Sequence, residues 1–386
     1  MTKRSCLAIF VILFVFVING AAQTVGAAPI FITTADLNND GFQDLAVANT
    51  ALGTGSLSIL LGNGDGSFQP QKFVAAGNYP RSIAVADFNR DGKLDLAVAN
   101  EGPSTGGTIS ILIGKGDGTF LSPSFLISGL NPASVVAGDF NGDGFIDIAV
   151  ANSQQFQTTL QPGSVSVFLG KGDGTFGPAS FFGAGFFPIA IAAADLNGDG
   201  KLDLATANFG GVTLAVLLGN GDGSFQPALF VPAGREPFSI AVADLDGDGH
   251  ADLISANHSQ TSTGGTVSTA LGIGDGTFQT TAYLRAGLGV VFVAVGDFNL
   301  DGKADLAVAN TGGSAVGGVT ILLGNGDGTF QAPAKLSAGL HPESIAVGDY
   351  NRDGHPDLAV VNSGKFPNPG TVSILLGDGK GGFQLK

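Results

Sequence analysis

The sequence has one cysteine and no tryptophan, and charged residues make up only 13% of its 386 residues. Because the cysteine, Cys6, stands at the start of an apolar run near the N-terminus, the rest of the chain has no disulfide to brace it. Lysine and arginine total 17 against 32 acidic residues, which excludes a basic patch for nucleic acid. Apolar residues reach 44%, and glycine occurs 62 times. This composition argues against disorder and predicts short strands joined by tight turns.

The N-terminus has the pattern of a secretory signal. Lys3 and Arg4 precede an apolar run at residues 7–18, and small residues follow it. The alternative is a membrane anchor, but this run is shorter than the roughly 20 residues that span a bilayer. The sequence therefore predicts a signal peptide at residues 1–22, cleaved near Ala22 or as late as Ala28. The mature protein is expected to have no membrane span and to be secreted or extracellular, which means periplasmic or at the cell surface in a bacterium.

A nine-residue run recurs seven times, about 50 residues apart, beginning at Asp36, Asp87, Asp139, Asp195, Asp244, Asp297 and Asp349. Each copy lies among four short apolar segments of strand length, such as LAVAN and LSILLG in the first repeat. Four strands per repeat predict an all-β fold, a seven-bladed β-propeller with four-stranded blades, rather than an open β-solenoid, whose repeats are usually shorter. We expect one domain over residues 23–386. Its predicted repeats are at about 29–77, 78–129, 130–184, 185–234, 235–286, 287–338 and 339–386.

The chain end leaves the closure of this ring open. The sequence stops at FQLK, before a full outer strand of the seventh repeat. Either the residues before Phe31 supply that strand, or the last blade lacks it.

The recurring run, which we call the aspartate loop, has the spacing Asp-x-Asn/Asp-x-Asp-Gly-x-x-Asp. Ca²⁺ takes six to eight oxygen ligands, and a tight loop supplies them from the side chains at positions 1, 3, 5 and 9 and the backbone carbonyl at position 7. Glycine at position 6 permits the sharp turn. The predicted calcium ligands, one set per repeat, are Asp36, Asn38, Asp40, Phe42 and Asp44; Asp87, Asn89, Asp91, Lys93 and Asp95; Asp139, Asn141, Asp143, Phe145 and Asp147; Asp195, Asn197, Asp199, Lys201 and Asp203; Asp244, Asp246, Asp248, His250 and Asp252; Asp297, Asn299, Asp301, Lys303 and Asp305; and Asp349, Asn351, Asp353, His355 and Asp357.

Neither an EF-hand nor a site for another metal accounts for the loop as well. An EF-hand needs a glutamate at position 12 and flanking helices, whereas position 12 here is apolar, as at Val47. The loops offer no cysteine for zinc or copper, and Mg²⁺ prefers fewer protein ligands. Plain Asx turns also favour these residues, but seven copies with the same fixed positions favour up to seven calcium sites. A catalytic carboxylate cluster would be needed only once.

A second turn recurs, Gly-x-Gly-Asp-Gly-Thr/Ser-Phe, which we call the glycine turn. We expect a hairpin turn whose phenylalanine packs between blades, although a second ion site or a phosphate-binding loop stays open. The last copy departs from the pattern, because Lys380 replaces its aspartate. Every aspartate of the chain lies in one of the two recurring turns, so these turns account for the excess of acidic over basic residues. The glutamates are Glu101, Glu236 and Glu343.

The motifs DFNGDG at 139–144 and LLGNGDGTF at 322–330 resemble FG-GAP and VCBS repeats. The similarity covers about residues 29–386 and includes the N-terminal propeller of integrin α subunits. The resemblance implies seven blades with Ca²⁺ in the loops between first and second strands. All seven repeats carry the loop, which is more similar to bacterial members than to integrins.

The function expected from these observations is a monomeric, non-enzymatic binding or adhesion module with an extracellular protein or glycan ligand. Ligands are expected on loops opposite the aspartate loops: residues 101–107, 152–163, 258–265 and 363–370, and the turns at 78–81, 185–188, 235–238 and 341–343. The side chains singled out there are Tyr79, Arg81, Phe187, Arg235 and His341.

Two alternatives stay open. Similar propellers of fungal lectins bind sugars between blades, but the scarcity of tryptophan and tyrosine weakens a lectin. A polysaccharide lyase or other hydrolase is less favoured, because the aspartates are committed to turns and the four histidines do not cluster in sequence. We therefore expect that the protein is not an enzyme.

Overall fold

The computed structural model describes residues 22–50, 55–102, 106–154, 162–258, 264–312, 317–364 and 369–386. Within these ranges the secondary structure is β-strand, with no helix. Accordingly, no helix of the described chain could cross a membrane. The predicted signal peptide falls almost wholly on residues outside the described ranges.

The strands follow one another at the regular intervals that the sequence repeat predicts. In chain order they are β1 (Gln23–Thr24), β2 (Pro29–Ala35), β3 (Asp44–Asn49), β4 (Ser56–Leu60), β5 (Lys72–Ala75), β6 (Pro80–Ala86), β7 (Asp95–Asn100), β8 (Thr108–Leu112), β9 (Ser124–Ile127), β10 (Pro132–Gly138), β11 (Asp147–Asn152), β12 (Gly163–Phe168), β13 (Ser180–Gly185), β14 (Pro188–Ala194), β15 (Asp203–Asn208), β16 (Thr213–Leu217), β17 (Leu229–Pro232), β18 (Pro237–Ala243), β19 (Asp252–Asn257), β20 (Gly265–Ala270), β21 (Ala282–Gly287), β22 (Val290–Gly296), β23 (Asp305–Asn310), β24 (Gly318–Leu322), β25 (Ala334–Leu336), β26 (Pro342–Gly348), β27 (Asp357–Asn362), β28 (Thr371–Gly377) and β29 (Phe383–Leu385).

These strands form seven antiparallel sheets, and in blades 1 to 6 the order of the four strands follows the chain, as in β2-β3-β4-β5. The seventh sheet, blade 7, contains β26, β27 and β28 together with β1 and β29. First strands of successive blades contact one another, so they line the centre of a closed ring. The predicted seven-bladed propeller is confirmed.

Burial of the second strand explains why the repeat needs its short apolar run. Every residue of β7, DLAVAN, is buried, because this strand has neighbours in its own sheet and is covered on both faces by adjacent blades. Alanine alternates there with larger Leu96 and Val98. The alternation fits a strand that is confined between two sheets and has little room for bulk.

Both chain ends close the ring, which answers the question that the sequence left open. In blade 7 the strand β1 pairs with β28 at Gln23↔Val372 and Thr24↔Thr371, and β29 pairs with the far part of the same strand. The backbone N–H of Val25 donates to the Gly370 carbonyl at 3.0 Å, and Val25 is buried. The outer strand of blade 7 is thus divided between the N- and C-terminal segments.

Candidate functional site

The seven aspartate loops lie together at one end of the propeller. Each loop joins the first strand of a blade to the second, as residues 87–94 join β6 to β7. Because all first strands run in the same direction through the ring, their loops emerge on the same face. The structure therefore brings the predicted ligand sets to one rim, with one set in each blade.

Hydrogen bonds fold each loop around its own side chains, as the second copy illustrates. Asp87 accepts from the backbone N–H groups of Asp91 at 3.2 Å and Gly92 at 2.8 Å. Asn89 also accepts from Asp91 N–H, at 3.0 Å, and Asp91 accepts from Lys93 N–H at 3.0 Å. These bonds turn the oxygens at positions 1, 3 and 5 toward the inside of the loop, where they can serve as ligands.

The ninth aspartate is fully buried and fixes the base of the loop. In the second copy Asp95 accepts from Phe88 N–H at 2.9 Å through Oδ2 and from Gly114 N–H at 2.7 Å through Oδ1. Gly114 begins the glycine turn of the same blade, so the carboxylate ties the two recurring turns together. Since each carboxylate oxygen has two lone pairs, these bonds leave capacity for a cation.

Burial of the ninth position disfavours its charge. Desolvation raises the pKa of Asp44, Asp147 and Asp252 to about 6, although backbone N–H groups partly oppose the shift. Repulsion from the aspartates at positions 1, 3 or 5 adds to the increase in pKa. A cation within the loop would remove this repulsion.

The fifth loop brings its carboxylates closest to a ligand set. Oxygens of Asp244, Asp246 and Asp252 all lie within 4.8 Å of one another. Two ligands on opposite sides of a Ca²⁺ ion stand about 5 Å apart, from bond lengths of about 2.3–2.6 Å. The donors are hard oxygens with no sulfur among them, and their separation matches that of ligands around one ion. The set therefore fits Ca²⁺.

Backbone conformation explains the fixed glycine. Position 6 has a positive φ in every loop, 79° at Gly92 for example, a region that costs other residues about 1–2 kcal/mol. Position 4 is also left-handed, yet Arg90 and Leu300 adopt it there. The shared turn geometry therefore demands glycine more strongly at position 6 than at position 4.

The glycine turn is a hairpin whose aspartate is used internally. Asp117 accepts from both the N–H and the hydroxyl of Thr119, at 2.9 and 2.6 Å, and Lys115 N–H bonds the Thr119 carbonyl. The Thr119 hydroxyl, as the largest cause, lowers the pKa of Asp117. This internal bonding supports the predicted hairpin turn over a second ion site.

Glycine turns also bond the aspartate loop of the preceding blade. Gly174 N–H donates to the Phe88 carbonyl at 3.0 Å, and Phe176 stacks edge-on against Phe88 at 5.5 Å between ring centroids. The equivalent N–H to carbonyl pairs are Gly66 to Tyr350, Gly118 to Leu37, Gly223 to Phe140, Gly328 to Leu245 and Gly381 to Phe298. The two turn types together form a belt that links neighbouring blades, as predicted for the recurring phenylalanine.

The opposite face holds a cavity of about 320 Å³ at the mouth of the central channel. Residues between the second and the fifth position of the first strand of each blade, which we call the inner strand, line it. They are mostly apolar, including Phe31, Phe238 and Phe292. Arg81 and Glu343 are the charged side chains among the described lining residues. We call this end of the channel the mouth.

The longer loops predicted to bind ligands fall partly on residues that the structure does not describe. These loops are 101–107, 152–163, 258–265 and 363–370, and each extends beyond the described ranges. The short turns before the first strands, by contrast, lie within the described chain.

Of the side chains singled out for ligand binding, Arg81 lines the cavity. Its Nε pairs with Glu101 at 3.3 Å. Tyr79, Phe187 and His341 instead occupy a left-handed position before the first strand, where their carbonyls accept from the residue after the second strand. Alanine and asparagine take this position in other blades, at Ala28 and Asn131. Arg235 is exposed and does not line the cavity.

Sequence reasoning missed a second recurring aromatic. The outer strands of five consecutive blades each carry an exposed ring, between 52% and 61% accessible, at Phe73, Phe125, Phe181, Phe230 and Tyr283. The available signal was an aromatic residue at the second position of the outer strand in five successive repeats, about 50 residues apart.

Residues 257–259 read Asn-His-Ser, a glycosylation sequon, but Asn257 does not suit an acceptor. Asn257 is buried, and its amide donates to the Ser268 hydroxyl at 2.6 Å. An enzyme that attaches a glycan could not reach this side chain in the folded protein.

Comparisons with known proteins agree with this architecture. The model of the FG-GAP-like repeat matches residues 36–98, 95–150, 156–206, 195–255 and 297–360, which together span more than half of the chain. No curated protein matches the sequence.

Two solved structures share the fold. A functionally unknown protein from Desulfotomaculum acetoxidans has a TM-score of 0.53 at 14% identity, and the match covers 82% of this chain and 90% of that one. A periplasmic gluconolactonase from Pseudomonas aeruginosa has a TM-score of 0.55 at 16% identity, covering 81% and 86%. At such identities the likeness shows the fold alone.

The second similarity corrects one expectation. The prediction that the protein is not an enzyme is wrong as an exclusion, because a structure with this fold is named as an enzyme. The prediction rested on the commitment of the aspartates to turns and on histidines that do not cluster in sequence. The aspartate turns lie at the rim of the propeller, so they do not determine the chemistry of the residues at the mouth of the channel.

Proposed function

Because this chain belongs to the FG-GAP-like repeat family, we propose that it is a propeller held together by calcium, acting outside the cytoplasm, that binds a ligand at its mouth. The observation that carries the proposal is the division of the molecule into two faces. One face repeats the same oxygen-rich loop in every blade, and the other presents a cavity whose lining differs from blade to blade. Repetition suits a structural role, whereas variation suits recognition.

Calcium would supply positive charge at seven places where carboxylates crowd together. In each copy the aspartates at positions 1, 5 and 9, the residue at position 3 and the carbonyl at position 7 would hold the ion. Backbone N–H groups of the loop already orient these oxygens, as at Asp87 and Asp91. The loop would therefore lose little conformational entropy when the ion binds, so this cost would oppose binding only weakly.

A location outside the cytoplasm fits the same design. Calcium modules in extracellular surroundings bind at about 10⁻⁴–10⁻³ M, a range that exposed loops can reach. The basic, apolar and small segments at residues 1–22 favour export, and a protein of the same fold is named as periplasmic. A chain whose one cysteine lies in that segment also needs a stabiliser other than disulfides.

The ligand of the proposed binding module would be an extracellular protein, a glycan or a small molecule released there. A role in adhesion would require a partner surface, and the mouth with its flanking turns is the surface that varies. The cavity at its centre limits what can enter to a compact group.

A glycan-binding propeller is the second candidate, and the exposed outer aromatics favour it. Tyr283 reaches from blade 5 to the Ala233 carbonyl of blade 4, so this ring lies beside the groove between the blades. Recurring aromatic faces at equal intervals suit a ligand that itself repeats. A glycan array tests this candidate, and loss of binding in Phe125→Ser with unchanged thermal stability would support it.

The calcium proposal is tested by thermal melting of the purified protein in EDTA and in millimolar Ca²⁺. We expect EDTA to lower the melting temperature and Ca²⁺ to restore it, because an ion bound only by the folded state stabilises that state. Equal concentrations of Mg²⁺ should restore less. A melting temperature independent of Ca²⁺ would contradict the proposal.

A further inference from the structure

The mouth departs from sevenfold symmetry at blades 2 and 7. The second residue of each inner strand faces the cavity, and it is apolar at Ile30, Ala133, Ile189, Phe238 and Val291. Blades 2 and 7 place Arg81 and Glu343 at the same strand position. Because the other blades show that an apolar residue satisfies the fold here, the two charges need a separate explanation.

The charge of Arg81 is already offset within the protein. Its Nε lies 3.3 Å from Oε2 of Glu101, and the Glu101 side chain is 14% exposed. Glu343 has a neutral partner instead, since its Oε1 accepts from the Ser363 hydroxyl at 2.8 Å. The lining with its immediate partners therefore carries one negative charge in excess, at Glu343.

The strands on either side of the one that carries Glu343 each place an aromatic ring in the lining of the same cavity. Phe31 and Phe292 belong to the inner strands of blades 1 and 6, which lie on either side of blade 7. Their rings meet edge-on with centroids 6.3 Å apart. Both rings line the cavity, as does Phe238. Aromatic faces attract cations, and the attraction is strongest where water is excluded.

We propose that the mouth binds a small organic ammonium ion, with its positive group between Glu343 and the rings of Phe31 and Phe292 and its apolar body on the lining of blades 3 to 6. The inference rests on the proposed function that this face binds ligands, and it names their class. An anion is disfavoured because Glu343 would repel it. A neutral apolar molecule would remove more water from the half-buried Glu343 carboxylate and bring no opposite charge to it.

The environment of Glu343 agrees with this assignment. Burial raises the pKa of Glu343 above its ordinary value, while the Ser363 hydroxyl and the charge of Arg81 act in the opposite direction. A carboxylate under such desolvation gains from a positive group that enters with the ligand. The cavity of about 320 Å³ has room for a compact molecule of this kind.

Calorimetric titration of the purified protein with three matched probes tests the inference. Phenethylammonium, 2-phenylethanol and 3-phenylpropionate share a phenyl body and differ in charge. We expect phenethylammonium to bind at least about tenfold more tightly than the alcohol, and the carboxylate to bind most weakly.

Variants locate the site. Glu343→Gln should abolish the preference for the ammonium over the alcohol, while Asp275→Asn, at an exposed carboxylate in a glycine turn on the opposite face, should leave it unchanged. Phe292→Leu keeps the site apolar and should weaken ammonium binding about threefold to tenfold. If the melting curve of Glu343→Gln shows that this variant does not fold, Phe292→Leu still tests the site.

Three outcomes would overturn the inference: tightest binding of the carboxylate, equal or absent binding of all three probes, or an ammonium preference that survives both Glu343→Gln and Phe292→Leu. These outcomes do not bear on the proposed calcium-dependent stability, which thermal melting in EDTA and in Ca²⁺ measures separately. Binding of the carboxylate at the mouth would leave the proposed ligand face standing and change only its ligand class.

Discussion

Two aspartates of one loop play different parts, although both belong to the predicted ligand set. Asp95 is buried and accepts two backbone N–H bonds, whereas Asp91 is exposed. The spacing of the motif predicts both as ligands and cannot separate them. Only the structure shows that the ninth position is needed for the turn itself.

We therefore predict that Asp95→Asn destabilises the protein with and without calcium. The new side-chain amide would turn its own N–H group toward the backbone N–H of Phe88 or Gly114, which now donates to the carboxylate. A buried donor left without an acceptor costs about 1–3 kcal/mol. Asp91→Asn should lower stability in Ca²⁺ and have little effect in EDTA. Chemical denaturation of both variants in the two conditions measures the difference. Equal behaviour of the variants would contradict the separate roles.

The buried aspartates also predict a pH dependence for the calcium-free protein. The pKa of Asp44, Asp147 and Asp252 is raised to about 6 in the folded state from 3.8. The folded state then binds more protons than the unfolded state between about pH 4 and 6, so its stability falls as pH rises through that window. A pKa that differs by 1 between the folded and unfolded states changes the free energy of unfolding by about 1.4 kcal/mol.

Denaturation of the protein in EDTA at a series of pH values measures this effect. The free energy of unfolding should decrease from about pH 4 to about pH 6, and calcium should reverse the trend because it favours the ionised carboxylates. A calcium-free protein that gains stability over that interval would contradict a raised pKa at these three aspartates.

At the scale of strands, the repeat predicts the blades well, because the same pattern of turns and apolar runs specifies each one. For the closure of the ring, the sequence offered the residues before Phe31 as one of two alternatives and could not choose between them. β1 contains only Gln23 and Thr24 and has no apolar alternation. Its place is set by pairing with β28, hundreds of residues away, and a two-residue strand carries no periodic signal.

We predict that the N-terminal strand is required for full stability. A chain beginning at Ala27 lacks β1 and Val25, whose burial contributes about 1.5–3 kcal/mol. Its melting temperature should fall below that of a chain beginning at Ala22. The same comparison bears on the proposed signal, because cleavage at Ala28 would remove this strand and cleavage near Ala22 would keep it. Identical melting curves would contradict a closing role.

At the scale of the molecule, sequence reasoning predicts the face with the repeated loops more fully than the opposite face. Seven copies of one motif predict a structural position more reliably than a single residue does. The positions of the aspartate loops therefore follow from the topology of the propeller. The mouth depends on single departures from the repeat. Arg81 and Glu343 both stood within the turns predicted to bind ligands, but their shared cavity exists only once the ring is closed.

The belt of turns connects the two recurring motifs into one structural system. Each aspartate loop bonds the glycine turn of its own blade through the ninth aspartate, as Asp95 bonds Gly114. For six of the seven loops, the glycine turn of the next blade then bonds the same loop, as Gly174 bonds Phe88. We infer that ions in the loops would stiffen the contacts between blades as well as the loops themselves.

The most direct test of this account is the metal content of the protein after dialysis against millimolar Ca²⁺. Mass-spectrometric metal analysis, with the protein-free dialysate subtracted, should find several calcium ions per chain, up to one for each blade. Loss of about one ion in Asp91→Asn would assign the second loop. A protein that retains no calcium above the dialysate would contradict the claim that calcium holds the propeller together.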